Sequence, residues 1–257
     1  MKPKNQKGKV KKEDADSENE DVGKSKKLGK KIMLSQAEQE QLEYLEKFPG
    51  LRVRNAPSSL FSSIRESKFD MGPFLTDIGF QSFRKIYIDQ LPSKLGRLVV
   101  ANFKTATNKI DLLNGLSIDV TPEKIRDMLG IPFGGSSLFS FDERPIDHPF
   151  VRYWVQQFYP KSLKEIRTAD VARKLVTATV VDNLFKLNFV MLFANTMGRC
   201  ETMKGQLCLD VVRYIPEDLP ISDIDWCGYI HSCLQYSSNP KGDCHYTGPL
   251  AVLMVSL

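Results

Sequence analysis

Three groups of residues in this 257-residue chain have the types needed for chemistry. The first is a thiol, Gly242-Asp243-Cys244, with His148 available upstream as a general base. Cysteine catalysis needs a thiolate formed by a histidine that a carboxylate orients, and an oxyanion donor close to the nucleophile. The nearest upstream glutamine, Gln235, lies nine residues before Cys244 and across a polar turn, so the spacing argues against a peptidase within the chain. The second group is a zinc set. All five cysteines (Cys200, Cys208, Cys227, Cys233, Cys244) and two of the three histidines (His231, His245) fall in the last 58 residues. Cys227 and His231, at i and i+4, share a helix face and have a spacing compatible with two tetrahedral ligands. There is no C-x-x-C pair, and a helix bearing Trp226, Cys227, Ile230 and Leu234 reads more simply as core. The expectation is no catalytic residue, metal or cofactor.

The third group is GIPFGGSS, residues 130–137, one residue away from the phosphate-cradling pattern G-x-x-x-x-G-K-[ST]. Ser136 stands where the pattern has lysine, and a helix leads into the glycines where a strand should. Ile125, Met128 and Leu129 supply the i, i+3, i+4 spacing of that helix. Thr121 is a capping residue, Pro122 suits the first helical position and Glu123 favours the positive end of the dipole. Gly130 then reads as the left-handed residue that ends the helix, and Pro132 prevents its continuation.

The elements that hold these residues are mainly helical. Ser35 with Glu38 makes a capping box opening a helix to about Phe48, stopped by Pro49-Gly50, and a short helix is expected over 58–66. Helical spacing recurs at Phe80, Phe83 and Ile86, and again at Leu95, Leu98, Val99 and Phe103, with Pro92 as the break. Between Asn108 and Val120, two β-prone stretches flank Asn114-Gly115, which predicts one small hairpin. Residues 134–147 read as an irregular loop. Helices are expected at about 147–159, at 162–166 with a Ser162/Glu165 capping box, at 168–176, 180–197, 208–214 and 222–235, and from Gly248 to the end. Phe150, Tyr153, Trp154 and Phe158 could stack on nucleic-acid bases beside Arg152, Lys161 and Lys164. Their i, i+3, i+4, i+8 spacing favours a core face.

Charge divides the chain in two. Residues 1–31 hold 11 lysines and six acidic residues, so this tail accounts for the whole net charge of +5. The remainder balances at 25 basic against 25 acidic residues, which argues against a general nucleic-acid-binding domain. Too few apolar residues occupy 1–31 to offset the entropy of ordering, so a disordered tail is expected, with one globular domain over 32–257. Lys11-Lys12 and Lys24, Lys26, Lys27 form two cationic clusters spaced like a two-part nuclear import signal. Ser17 beside Glu18 and Glu20 is a weak phosphate-acceptor pattern.

The first residues are charged and lack the apolar run of a secretory signal, and the odd cysteine count fits free thiols in a reducing nuclear or cytoplasmic setting. The most apolar stretch, 184–197, is interrupted by Lys186, Asn188 and Asn195 and reads as a core helix, not a membrane span. The apolar end LAVLMVSL leads to the expectation of a C-terminally truncated version of something longer, because a free apolar helix end wants a partner.

Taken in order, these signals resemble the plant mobile domain, also called the aminotransferase-like plant mobile domain. The unit NGLSIDVTPEKIRDMLGIPFGG matches its hairpin running into a "LLGLP" motif at Thr121, Leu129, Gly130, Pro132 and Gly135. FKLNFVMLFANTMGR resembles its central helix, IDWCGYIHSCL with Trp226 its tryptophan helix, and GPLAVLMVSL its final core helix. The similarity covers about 60–257 and is closest to the variant found upstream of Ulp1-like cysteine peptidases in plant transposon-derived proteins. In that setting Gly242-Asp243-Cys244 is similar to the Asp-Cys-Gly around a Ulp1-type nucleophile, with His245 in place of the glycine. The resemblance implies an all-α domain of transposon origin without accepted catalytic residues. A pyridoxal-phosphate enzyme needs a Schiff-base lysine in a large α/β fold, and no such context occurs here. The expected function is a non-catalytic nuclear interaction module acting through a protein partner, with no small-molecule substrate. The alternatives are nonspecific DNA or chromatin binding through the lysine-rich tail and, more remotely, a peptidase remnant.

Overall fold

The computed structural model describes residues 35–46, 52–53, 57–112, 115–199, 206–218, 220–237 and 245–257. The tail with its five candidate import lysines, the Pro49-Gly50 stop, Asn114, Cys200 and Gly242-Asp243-Cys244 lie outside them.

The protein is mainly helical. Its helices are α1 (Gln36–Glu46), α2 (Ser58–Glu66), α3 (Gly72–Asp77), α4 (Ser93–Asn102), α5 (Pro122–Leu129), α6 (Pro149–Gln156), α7 (Thr168–Thr177), α8 (Asn183–Met197), α9 (Asp210–Tyr214), α10 (Trp226–Gln235) and α11 (Leu250–Val255). The core is built around α8. Asp182 caps it by accepting from the Phe185 amide at 2.7 Å, and from Leu187 onward apolar residues fall on every side of the helix, with Asn188 and Asn195 among them. A helix that is apolar all round must be covered all round. Here α2, α7, α9 and α11 pack against it, so that residues 187–198 are buried without a break.

Aromatic rings tie α8 to its surroundings. Phe80 meets Phe83, Phe189, Phe193 and Trp226 edge-on at centroid distances of 5.0–6.2 Å, and Phe74 does the same with Phe185 and Phe189. Edge-to-face pairs in this range add roughly 0.5–1.5 kcal/mol each beyond their area burial. The polar atoms of α8 are answered. Asn188 Oδ1 accepts from the Trp154 indole at 2.9 Å, and its amide donates to Gln157 at 2.8 Å. Asn195 brackets the Cys208 backbone, accepting from its N–H and donating to its carbonyl.

The expected hairpin is present, as β3 (Lys109–Asp111) paired antiparallel with β4 (Ser117–Asp119). It carries one more strand than the sequence pattern suggests. β2 (Phe103–Lys104) pairs with β3, so the unit is a three-stranded meander, and Phe103 belongs to a strand rather than to the helix its spacing implied. A two-residue parallel pairing of β1 (Arg52–Val53) with β5 (His245–Tyr246) joins distant parts of the chain.

The spacing at Phe80, Phe83 and Ile86 also corresponds to less helix than expected. Only a 3-10 turn over Gln81–Arg84 forms there, followed by non-helical chain to Pro92. Residues 163–165 form a 3-10 turn carrying the expected Ser162/Glu165 capping box. α10 begins at Trp226, capped by Asp225, after a separate 3-10 turn at Ile221–Asp223. α11 buries Leu250–Leu253, largely against α4 and α8.

Candidate functional site

The motif residues Thr121, Leu129, Gly130, Pro132, Gly135 and Trp226 converge where α5 meets α10. Thr121 Oγ1 accepts from the Lys124 amide at 3.3 Å, and a hydrogen bond from Thr121 holds the Glu123 carboxyl below its usual range. Leu129 is buried and Gly130 adopts φ 60°, ψ 39°, the left-handed conformation that ends the helix. A Cβ at Gly130 would run into Ser82 Oγ, and one at Gly135 into the Asp223 carbonyl.

Beyond Pro132 the chain pairs with the entrance to α10. The Ser136 amide donates to Asp223 O at 2.8 Å, the Asp225 amide to Ser136 O at 2.9 Å, and the Cys227 amide to Pro132 O at 3.2 Å. Trp226 is fully buried, its indole donating to Ile221 O at 2.8 Å. The Ser136 N–H, which a phosphate loop would turn toward its anion, is used to clamp α5 onto α10. This segment acts as a structural fastening.

The other chemical groups are dispersed. His148 caps α6, its Nδ1 accepting from the Phe150 amide at 3.2 Å. Cys227 is buried and its thiol donates to the Ile131 carbonyl at 3.6 Å; burial pushes its pKa up to about 12. Burial likewise lowers the pKa of His231, which lies within the field of Glu123 and Asp225. Cys208, Cys227 and Cys233 are free, and no group of three or more potential metal ligands occurs among the described residues. Trp154 and Phe158 enter the core, whereas Tyr153 is 52% exposed, so the aromatic stripe on α6 serves two faces.

Tyr153 opens onto a cleft of about 540 Å³ that no local sequence signal marks. One face of α8 forms its wall through Asn183, Lys186, Leu187 and Val190, spaced i, i+3, i+4, i+7. Phe150 and Tyr153 of α6, one turn apart, form a second side, and Asp77 with Ile78 at the end of α3 a third. The fourth side is the segment after α9, including Ile215, Glu217, Asp218, Ile221 and Ser222. Arg144 braces that segment. Its guanidinium lies 4.7 Å from the centre of the Phe150 ring and donates to Ile215 O at 2.6 Å, and its backbone exchanges hydrogen bonds with Arg213.

The cleft therefore has an apolar floor and a rim carrying three carboxylates and one ammonium. Its lining contains no histidine, cysteine or paired nucleophile and base. Four separated stretches contribute, which is why no motif announces it. Its volume lies in the range of sites that enclose a ligand or a few side chains of a peptide.

Fold and cleft together define a mainly helical domain with an open, mixed-charge recess. The chain belongs to the family described as a domain of unknown function, DUF8566, whose model matches residues 53–254. No curated protein and no solved structure matches the chain.

Proposed function

We propose that the protein is a non-catalytic nuclear interaction module of transposon origin, acting through a protein partner that places a short segment in the cleft between α6, α8 and the chain after α9. The observation that carries this reading is the lining itself. Ile78, Leu187, Val190 and Ile221, all buried, close its floor with apolar side chains, while Lys186, Asp77, Glu217 and Asp218 supply charges of both signs at its edge. Such a recess suits an aliphatic or aromatic side chain flanked by charged or polar groups, in the manner of a pocket that anchors a peptide. The resemblance of 121–135 and of the Trp226 helix to the plant mobile domain supports the transposon origin, and the paired lysine clusters at Lys11-Lys12 and Lys24–Lys27 support nuclear import.

Substituting Tyr153→Ala together with Lys186→Glu changes two accessible lining residues and leaves the core intact. Quantitative co-purification from nuclear extract should lose a stoichiometric partner on this change, with the far-UV spectrum and melting temperature unaltered. A partner retained by the variant would refute the cleft as the docking place. Replacing Lys11, Lys12, Lys24, Lys26 and Lys27 by Gln, in fusion with a reporter too large to diffuse through pores, should shift the signal from nucleus to cytoplasm. The charge of 1–31 also supports a second reading, nonspecific DNA or chromatin binding by the tail. In that case salt-sensitive affinity for duplex DNA would disappear when the tail lysines are neutralised.

A further inference from the structure

Although residues 32–257 are balanced in charge, one stretch is not. Residues 158–174 contain five cations (Lys161, Lys164, Arg167, Arg173, Lys174) and two acids, a local net charge of +3. The fold gathers them. Asp170, 7% exposed, accepts from Lys161 and from the Arg167 amide and forms an ion pair with Arg173 at 3.6 Å. Arg167 in turn donates to the Lys164 carbonyl. Lys174 stands 6.0 Å from the Phe158 ring centre, next to a turn closed by the Lys161 amide donating to Phe158 O.

Both acids are engaged internally. Asp170 is the buried hub, and Glu165 is taken up by its capping box with Ser162. Set within the same turn, Tyr159 is 87% exposed, the highest exposure among the described large apolar and aromatic side chains. Exposed aromatic surface beside clustered cations is the pairing used to stack bases while neutralising phosphates.

We propose that the surface formed by the turn at 158–161, the 3-10 turn at 163–165 and α7 binds single-stranded nucleic acid, with Tyr159 stacking on a base and Lys164, Arg173 and Lys174 contacting the flanking phosphates. The aromatic favours nucleic acid over an acidic peptide, because every base presents a face for stacking and a glutamate side chain presents none. This surface is separate from the lysine tail and from the cleft, and it stands whether or not either of them binds anything.

The test measures fluorescence anisotropy of a labelled twenty-residue oligo(dT) with the full chain, in parallel with K164Q/R173Q/K174Q, Y159A, Y159F and a tail variant in which the 11 lysines are glutamine. The triple variant and Y159A should each weaken binding about tenfold, and Y159F should bind as the parent does. Removing three phosphate contacts should also flatten the dependence of log affinity on log salt by about 2. Unchanged binding by the triple variant, with the tail variant losing all affinity, would overturn the proposal. It would also be overturned if Y159A bound as the parent while polyglutamate of equal length competed as well as oligo(dT), which would make this a surface for an acidic protein. Lys164, Lys174 and Tyr159 lie at the surface, so if the triple variant lost its folded spectrum, K164Q/K174Q and Y159A would decide the matter on the same readings.

Discussion

The role given to GIPFGGSS can be tested by adding one carbon atom at a time. Gly130→Ala introduces two costs. The first is conformational, because φ 60° and ψ 39° lie in the left-handed region, where a residue with a Cβ is disfavoured by about 1–2 kcal/mol. The second is steric, since the new Cβ would meet Ser82 Oγ and lie 2.9 Å from Ser82 Cβ, an overpacking of the kind that costs about 1–3 kcal/mol. Gly134, in the same loop, has φ +81° and nothing within 4 Å of an added Cβ, so Gly134→Ala carries only the conformational cost.

Gly130→Ala should therefore be destabilised by about 2–5 kcal/mol and Gly134→Ala by about 1–2 kcal/mol, on the same principles. For a domain of this size the first corresponds to a fall in Tm of roughly 4–20 °C. Urea denaturation followed by tryptophan fluorescence measures both, since Trp154 and Trp226 are fully buried. Adding Ser82→Gly to Gly130→Ala should restore the steric part and leave the conformational part. Equal losses for the two alanine variants, with no rescue by Ser82→Gly, would refute the account of this loop as a fastening packed on residue 82.

Other parts of the structure give further expectations. Asn188→Leu leaves the Trp154 indole and the Gln157 amide without their shared acceptor inside the core, and should lower stability by about 2–4 kcal/mol in the same urea assay. Burial alone would raise the Asp170 pKa, but Lys161, the Arg167 amide and Arg173 hold it below the ordinary value. With the folded pKa depressed, its stabilisation is fully present above about pH 4 and is lost as the pH falls through the folded value. Asp170→Asn should be less stable than the parent at pH 7, with the gap narrowing as the pH falls below about 4. The Cys227 and Cys233 thiols, pushed up to about 12 by burial, should resist iodoacetamide at pH 8 in the folded protein and react once urea unfolds it, as read by peptide mapping.

Local signals were legible in the sequence wherever the physics is local. Thr121, Pro122 and Gly130 mark the two ends of α5 because capping and the left-handed residue act within one turn. The Ser162/Glu165 box marks its turn for the same reason. α8 was legible because apolar residues on every side admit only a central position. Phe103 and the 80–86 stretch differ from their helical pattern because phenylalanine spaced at three or four residues satisfies a helix and equally satisfies a loop whose rings all reach one core. Phe80 and Phe83 are buried from a 3-10 turn and its edge, not from an α-helix. The cleft left no trace in the sequence, since Asp77, Tyr153, Lys186 and Glu217 become neighbours only through the packing of α3, α6, α8 and the chain after α9. The basic surface on α7 was half visible. The lysines and the aromatic spacing could be read, but that Phe158 turns inward while Tyr159 faces solvent is decided by tertiary contacts.

If the cleft holds a segment of a protein partner, as proposed, that partner can be captured in place. Replacing Tyr153 with a photo-crosslinking phenylalanine analogue, and Tyr236 outside the cleft with the same group as a control, tests it within nuclei. One discrete crosslinked protein is expected from position 153 and none of that mass from position 236. The same product from both positions, or none from 153 in a folded nuclear protein, would contradict it.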